Sequence, residues 1–188
     1  MVTITGVTHW SIGVRDLEES ERFYRDLLGL EYRGRLGSSR MACFSVGSHN
    51  ILLCESPGAR PSAPDEATRV HHAFETSPDE WTTAVRLLHA QGVTVAGPIV
   101  YRERGFFPGR EIYFLDPTGN ILELRDATWK PGMPTPTLEE ITAERGSGGW
   151  TFRLFTSGAE NVLAMGQRSW TPSPSPASPG AADPVGRR

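Results

Sequence analysis

The sequence predicts an α+β fold of two strand–helix–three-strand (βαβββ) modules followed by an irregular C-terminal tail. Three observations predict it. Strand-like alternation, helical periodicity and renewed alternation follow one another twice along the chain. Each predicted helix is bounded by start and stop residues. Beyond Trp129 both periodicities fade, and a stretch rich in serine and proline follows, SWTPSPSPASPG.

Module one covers 5–56. THWSIGV (8–14) alternates as a strand. A helix over 17–28 places Phe23, Tyr24 and Leu27 on one face and stops at Gly29. Strands follow at 31–35, at MACFSV (41–46) and at NILLCE (50–55), the last two parted by Gly47-Ser48-His49. Residues 57–68, rich in proline, serine and alanine, read as a linker. Module two covers 69–127 and repeats the order. VHHAFET (70–76) is its first strand. Ser77-Pro78-Asp79-Glu80 is a capping box with proline at the first helical position. Trp81, Ala84, Val85 and Leu88 form the buried stripe, and Gly92 ends the helix. VTVAG (93–97), EIYFL (111–115) and NILEL (120–124) are strands, with Asp116-Pro117-Thr118-Gly119 as the turn before the last. The two modules make one domain, 1–129. Residues 130–188 form an extension that holds a short helix capped near Thr137-Leu138-Glu139-Glu140. After 146 it turns largely irregular, apart from an apolar run at 150–155.

Composition excludes several function classes. The 188 residues carry a formal net charge of -3, which gives no electrostatic footing for nucleic acid or an acidic membrane. No apolar run approaches the roughly 18 residues of a membrane span, and no signal-peptide pattern opens the chain. A cytoplasmic protein is the expectation. Cys43 and Cys54 lack metal-ligand spacing and read as buried free thiols.

Three residues carry the chemistry. His9 and His71 occupy equivalent places in the first strand of each module, His-Trp-Ser-Ile against His-His-Ala-Phe. Glu123 sits in the last strand, where alternation sets Ile121, Glu123 and Arg125 on one face and Leu122 and Leu124 on the other. A carboxylate in a strand that buries leucines needs a partner or a metal. Two neutral imidazoles and one carboxylate make a facial divalent-metal set with open positions. Taken singly, each histidine also fits a hydrogen-bonded strand residue, and Glu123 fits a partner of Arg125. The repeat is what favours the metal.

Residues 5–126 resemble the vicinal oxygen chelate superfamily, which includes glyoxalases, fosfomycin- and bleomycin-resistance proteins and extradiol dioxygenases. The resemblance rests on THWSIGVRDLEESERFYRDLLGL, VHHAFE and GREIYFLDPTGNILEL. It implies curled mixed sheets around a metal cleft, with His9, His71 and Glu123 as ligands. A small-molecule substrate and a homodimer are also implied, the modules pairing within one chain or between two. The metal expected first is Fe(II), with Mn(II) or Zn(II) as alternatives. The fourth ligand position of glyoxalases falls on Leu53, with Glu55 on the same face as a ligand, base or surface acid.

The local signature is most similar to that of ring-cleaving dioxygenases. Tyr113 matches their active-site tyrosine and His49 their acid–base histidine, while Arg104 stands where they keep another histidine. An oxidoreductase acting on a small catechol is therefore the leading expectation. Thiol transferases or hydrolases of the fosfomycin-resistance type are the alternative, with lyases or isomerases beside them. In that reading Ser11 takes the place of a threonine, and the hydrolases' glutamate base falls near Met41. A metal-free drug-binding protein is a further alternative. Phe106 and Phe107 either face an aromatic substrate or tuck beneath a surface loop.

Overall fold

The computed structural model describes residues 3, 6–59 and 70–143. Most of the predicted linker, the apolar run at 150–155 and the proline-rich tail lie outside the described residues.

Module one starts with β1 (His9–Val14) and α1 (Leu17–Arg22). Asp16 caps α1 by accepting from the Glu19 N–H at 2.8 Å. The sequence predicts a plain α-helix to Leu28, but the last turn, Phe23–Leu27, is π-helical, with the Leu28 N–H donating to the Phe23 carbonyl at 3.0 Å. In that turn both Phe23 and Tyr24 are buried. Gly29 then turns the chain at φ 70°. β2 (Glu31–Arg35), β3 (Met41–Val46) and β4 (His49–Glu55) complete a four-stranded mixed sheet in the order β1-β4-β3-β2.

Module two repeats the plan with β5 (His72–Glu75), α2 (Pro78–Ala90), β6 (Val100–Arg102), β7 (Gly109–Leu115) and β8 (Ile121–Asp126), in the order β5-β8-β7-β6. Ser77 caps α2 as predicted, accepting from the Glu80 N–H. One strand is misplaced by the sequence. Residues 93–97 make only an isolated bridge, Val95 to Phe114, and the third strand is Val100–Arg102. Both pieces lie along β7, but Gly97 at φ 113° and Pro98, which has no N–H, interrupt the ladder between them.

The modules share one apolar cluster through their helix-side faces: Ile12, Val14, Phe44 and Leu53 of the first meet Phe74, Phe114 and Leu122 of the second. The other face of each sheet, the open face, takes no part in this cluster, although on sheet two its Glu111, Tyr113 and Glu123 are buried. On sheet one that open face carries His9 and Ser11, whose register partners are Asn50 and Leu52. On sheet two it carries Glu111, Tyr113, Glu123 and Arg125, which pair across β7 and β8. The thiols of Cys43 and Cys54 are free, as predicted, but half-buried on the open face of sheet one rather than in the core.

The extension is built onto sheet two. The Tyr101 hydroxyl donates to the Pro136 carbonyl at 2.6 Å, and the Trp129 indole to the Pro134 carbonyl at 3.1 Å. The predicted capping box forms between Thr137 and Glu140 and opens α3 (Leu138–Ala143). Ile141 packs with Trp81, Val85 and Ile112 behind the sheet. Among the described residues no helix is long and apolar enough to cross a membrane.

Asp116 joins the modules. One of its oxygens accepts from the N–H groups of Thr118, Gly119 and Asn120 at 2.8–2.9 Å, and the other from the Tyr24 hydroxyl of the π-helical turn after α1 at 3.0 Å. The same turn reaches β1, where Asn120 donates to the Gly13 carbonyl and Thr118 accepts from the Arg15 N–H. Asp116→Ala strands several buried donors at once, so a loss of about 3 kcal/mol or more is expected in denaturant unfolding.

Candidate metal centre

β8 and the segment just before β5 bring two of the three predicted ligands, Glu123 and His71, into contact. Glu123 is 5% exposed, and its carboxylate lies 3.0 Å from His71 Nε2. Burial raises the Glu123 pKa, but hydrogen bonds with His71 and Tyr113 outweigh it and leave the carboxyl below its ordinary value. The acid is therefore ionised near neutral pH, as a ligand must be. Tyr113 stands opposite Glu123 in register, its ring edge-on to His71 with centroids 5.5 Å apart. Burial, then the charges of Glu123 and Glu111, push the Tyr113 phenol far above its ordinary range. It stays protonated at any working pH. Adjacent His72 pairs with Leu122, and burial lowers its pKa.

His9 opens β1 on the other module. It is exposed, with Nδ1 3.1 Å from the Thr8 hydroxyl. Among the described residues no set of three His, Cys, Asp or Glu side chains converges as a metal cage. The predicted triad is thus divided: His71 and Glu123 come together, and His9 stands apart with Ser11. Two nitrogen and oxygen donors already in contact fit one side of a divalent-metal site, and a further imidazole is needed to complete the facial set.

The other predicted positions fall elsewhere. His49 and Glu55 lie on the helix side of β4, in phase with buried Ile51 and Leu53. His49 tilts against Trp10, with ring centroids 5.8 Å apart. Leu53 is wholly buried, so the fourth ligand position assigned to it misses the open face by one residue. Glu55 accepts from the Leu17 N–H at the start of α1 at 3.0 Å and is ion-paired to Arg40. Arg104 is exposed on the β6–β7 loop. Phe106 and Phe107 are 98% and 66% exposed, so neither is tucked beneath that loop.

Sequence reasoning missed Glu111. It is 1% exposed, accepts from the Tyr113 hydroxyl at 3.1 Å and pairs with Arg102. The signal was present in EIYFL, because the alternation that singled out Glu123 also sets Glu111 on the Tyr113 face. Arg125 lies across from Glu111, 3.4 Å from Glu75, with Phe107 over its guanidinium.

The profile of the family described as Glyoxalase/Bleomycin resistance protein/Dioxygenase superfamily matches residues 6–124, well over half of the chain. The chain belongs to this superfamily. Within it, the chain is 27% identical over 121 residues to a protein named glutathione transferase FosA from Serratia marcescens, covering 64% of this chain and 80% of the relative. It is also 27% identical over 130 residues to the metallothiol transferase FosB of Staphylococcus epidermidis, covering 69% and 87%. Among solved structures, the fosfomycin resistance protein FosX of Listeria monocytogenes matches with TM-score 0.54 and 25% identity, over 66% of this chain and 94% of that one. A FosX variant solved with Mn(II) and 1S,2S-dihydroxypropylphosphonic acid matches with the same TM-score and identity, over 67% and 95%. These relatives favour the transferase alternative over the oxidoreductase expected first from the sequence, and none of them carries a preference for Fe(II).

Glu55 is poorly suited to the role of base that the sequence left open for it. The hydrogen bond from Arg40, then that from the Leu17 N–H, holds the Glu55 pKa down at about 2, which makes it a poor base. A carboxyl with a depressed folded pKa adds stability above its unfolded pKa, near 4.5, and loses it as pH falls toward 2. Glu55→Gln should therefore lower Tm near neutral pH, with the gap to the unsubstituted protein closing as pH falls from about 5 to 2. A gap independent of pH would refute the assignment.

Proposed function

We propose that this chain is a divalent-metal-dependent transferase that adds a thiol to a small anionic epoxide of the fosfomycin kind. Its site takes His9 from one chain and His71 with Glu123 from a second copy. The juxtaposition of His71, ionised Glu123 and protonated Tyr113 on the open face carries the reading. Similarity to named thiol and glutathione transferases supports the reaction class, and the Mn(II)-bound neighbour supports the metal and a phosphonate substrate. The division of the triad supports the dimer. The faces joined inside the chain are the helix-side ones, and His9 needs another chain's open face to meet Glu123.

A bound metal supplies a Lewis acid that polarises substrate oxygen and accepts developing negative charge. The chain does the rest. His71 offers Nε2 and Glu123 a carboxylate, while Tyr113 holds its hydroxyl beside them as a fixed hydrogen-bonding group. In the reaction a C–S bond forms as a ring C–O bond breaks. The thiol gives its proton to water and attacks as the thiolate, while the epoxide oxygen keeps the electron pair of the broken bond and takes a proton from water. No carboxylate base is required, in keeping with Met41 on the open face where hydrolases of this type carry glutamate. Ring cleavage lacks this support, because His49 lies on the helix side of β4 and Arg104 is exposed.

Elemental analysis of the purified protein should find near-stoichiometric metal, and Glu123→Ala should abolish it. Unchanged metal content would remove Glu123 from the ligand set. The shared site gives a sharper expectation. His9→Ala and Glu123→Ala chains are each inactive, yet mixing them under exchange restores roughly one quarter of wild-type activity, one intact site in each mixed dimer. No recovery despite confirmed exchange would place the whole triad in one chain. With Mn(II), fosfomycin and a panel of thiols including glutathione, mass spectrometry should find a one-to-one thiol adduct. Metal binding without any adduct would reject the transferase reading and keep the metal site.

A further inference from the structure

Tyr113 stands between two carboxylates. Glu111 Oε1 is 3.1 Å from its hydroxyl, and Glu123, opposite it in register, is within hydrogen-bonding reach of the same oxygen. A phenol has one hydrogen and can give it to only one of them. Glu111 is 1% exposed, and a carboxylate buried that deeply persists as an ion only when paired. Arg102 on the neighbouring strand supplies the pair, its Nη2 bonded to the same Glu111 oxygen that faces Tyr113. Glu111 belongs to the open face, whereas the adjacent Ile112 packs behind the sheet with Trp81 and Val85. A buried ion pair there is a costly way to fill space, and its reach extends to the Tyr113 hydroxyl.

We propose that Glu111, held by Arg102, is a positioning residue that draws the phenolic hydrogen of Tyr113 away from Glu123 when a metal engages that carboxylate, and so frees both Glu123 oxygens for the cation. With its hydrogen committed to Glu111, Tyr113 turns lone pairs toward Glu123 and the open face. It then accepts a hydrogen bond from water and does not compete for Glu123. Were the phenol to donate to Glu123 instead, it would occupy a lone pair that the cation needs. The inference rests on the metal site proposed above.

Glu111→Gln tests it in the full chain. The amide keeps the volume, and its oxygen still meets Arg102 and Tyr113, but a neutral amide is a weaker acceptor than the Glu123 carboxylate, so the Tyr113 hydrogen turns toward Glu123. Mn(II) affinity, read by calorimetry, should fall about tenfold, the scale of an outer-shell change. Tyr113→Phe in the Glu111→Gln background should restore it to within about twofold, because no hydrogen remains to misdirect. Tyr113→Phe alone, the gentler substitution, should bind Mn(II) as the unsubstituted chain does. Unchanged affinity in Glu111→Gln, a loss that Tyr113→Phe does not rescue, or a comparable loss in Tyr113→Phe alone would each overturn the positioning role. Absence of Mn(II) binding by the unsubstituted chain would overturn it together with the metal site. The other failures leave the metal site standing.

Discussion

The hydrogen bonds that converge on the Asp116 carboxylate decide how the two halves of this protein meet. A buried carboxylate is tolerable only when its lone pairs are filled, and here the turn that carries Asp116 fills one oxygen with its own backbone while the π-helical turn after α1 reaches the other through Tyr24. The turn is thereby fixed against β1, and the apolar faces of both sheets close on each other around Phe44, Phe74, Phe114 and Leu122. Joining the helix-side faces leaves the opposite face of each sheet outside the shared core, and the candidate residues His9, Tyr113 and Glu123 are on those faces.

The two open faces differ in character. Sheet one presents Met41, Cys43, Leu52 and Cys54, neutral and partly apolar, beside His9 and Ser11. Sheet two presents charged side chains and one histidine, each answered by a neighbour: Arg102 with Glu111, His71 with Glu123, Arg125 with Glu75. Such pairing is what burial demands of ionised groups. In the proposed assembly a soft wall from one chain would meet a charged wall from another. A substrate with an acid group at one end and a sulfur nucleophile approaching from the other suits that asymmetry. The β6–β7 loop stands beside the charged wall, with Arg125 under Phe107 and Phe106 almost wholly in solvent.

Where the structure departs from sequence reading, small offsets carry large consequences. In β4 a shift of one residue moves a side chain from the open face to the core, so Leu53 and Glu55 serve the α1 side while Leu52 and Cys54 face outward. In the third strand of module two, Gly97 and Pro98 displace the regular ladder to Val100–Arg102, which is what brings Arg102 beside Glu111. After α1 the π-helical turn accommodates Phe23 and Tyr24 together, and Tyr24 is the residue that meets Asp116.

Local signals determined the two modules, the caps at Ser77 and Thr137, the stops at Gly29 and Gly92, the Asp116 turn and the candidate ligands His9, His71 and Glu123. Each depends on neighbours a few residues away, so periodicity and capping chemistry report it directly. Glu111 was legible by the same alternation that exposes Glu123, but its Arg102 partner was not, because that pairing crosses strands. Only the tertiary structure decided that His71 and Glu123 touch while His9 stands apart, and that His49 and Glu55 face a helix. Those outcomes depend on strand register and on which faces bury one another, quantities set by long-range packing and invisible in the spacing of residues along one chain.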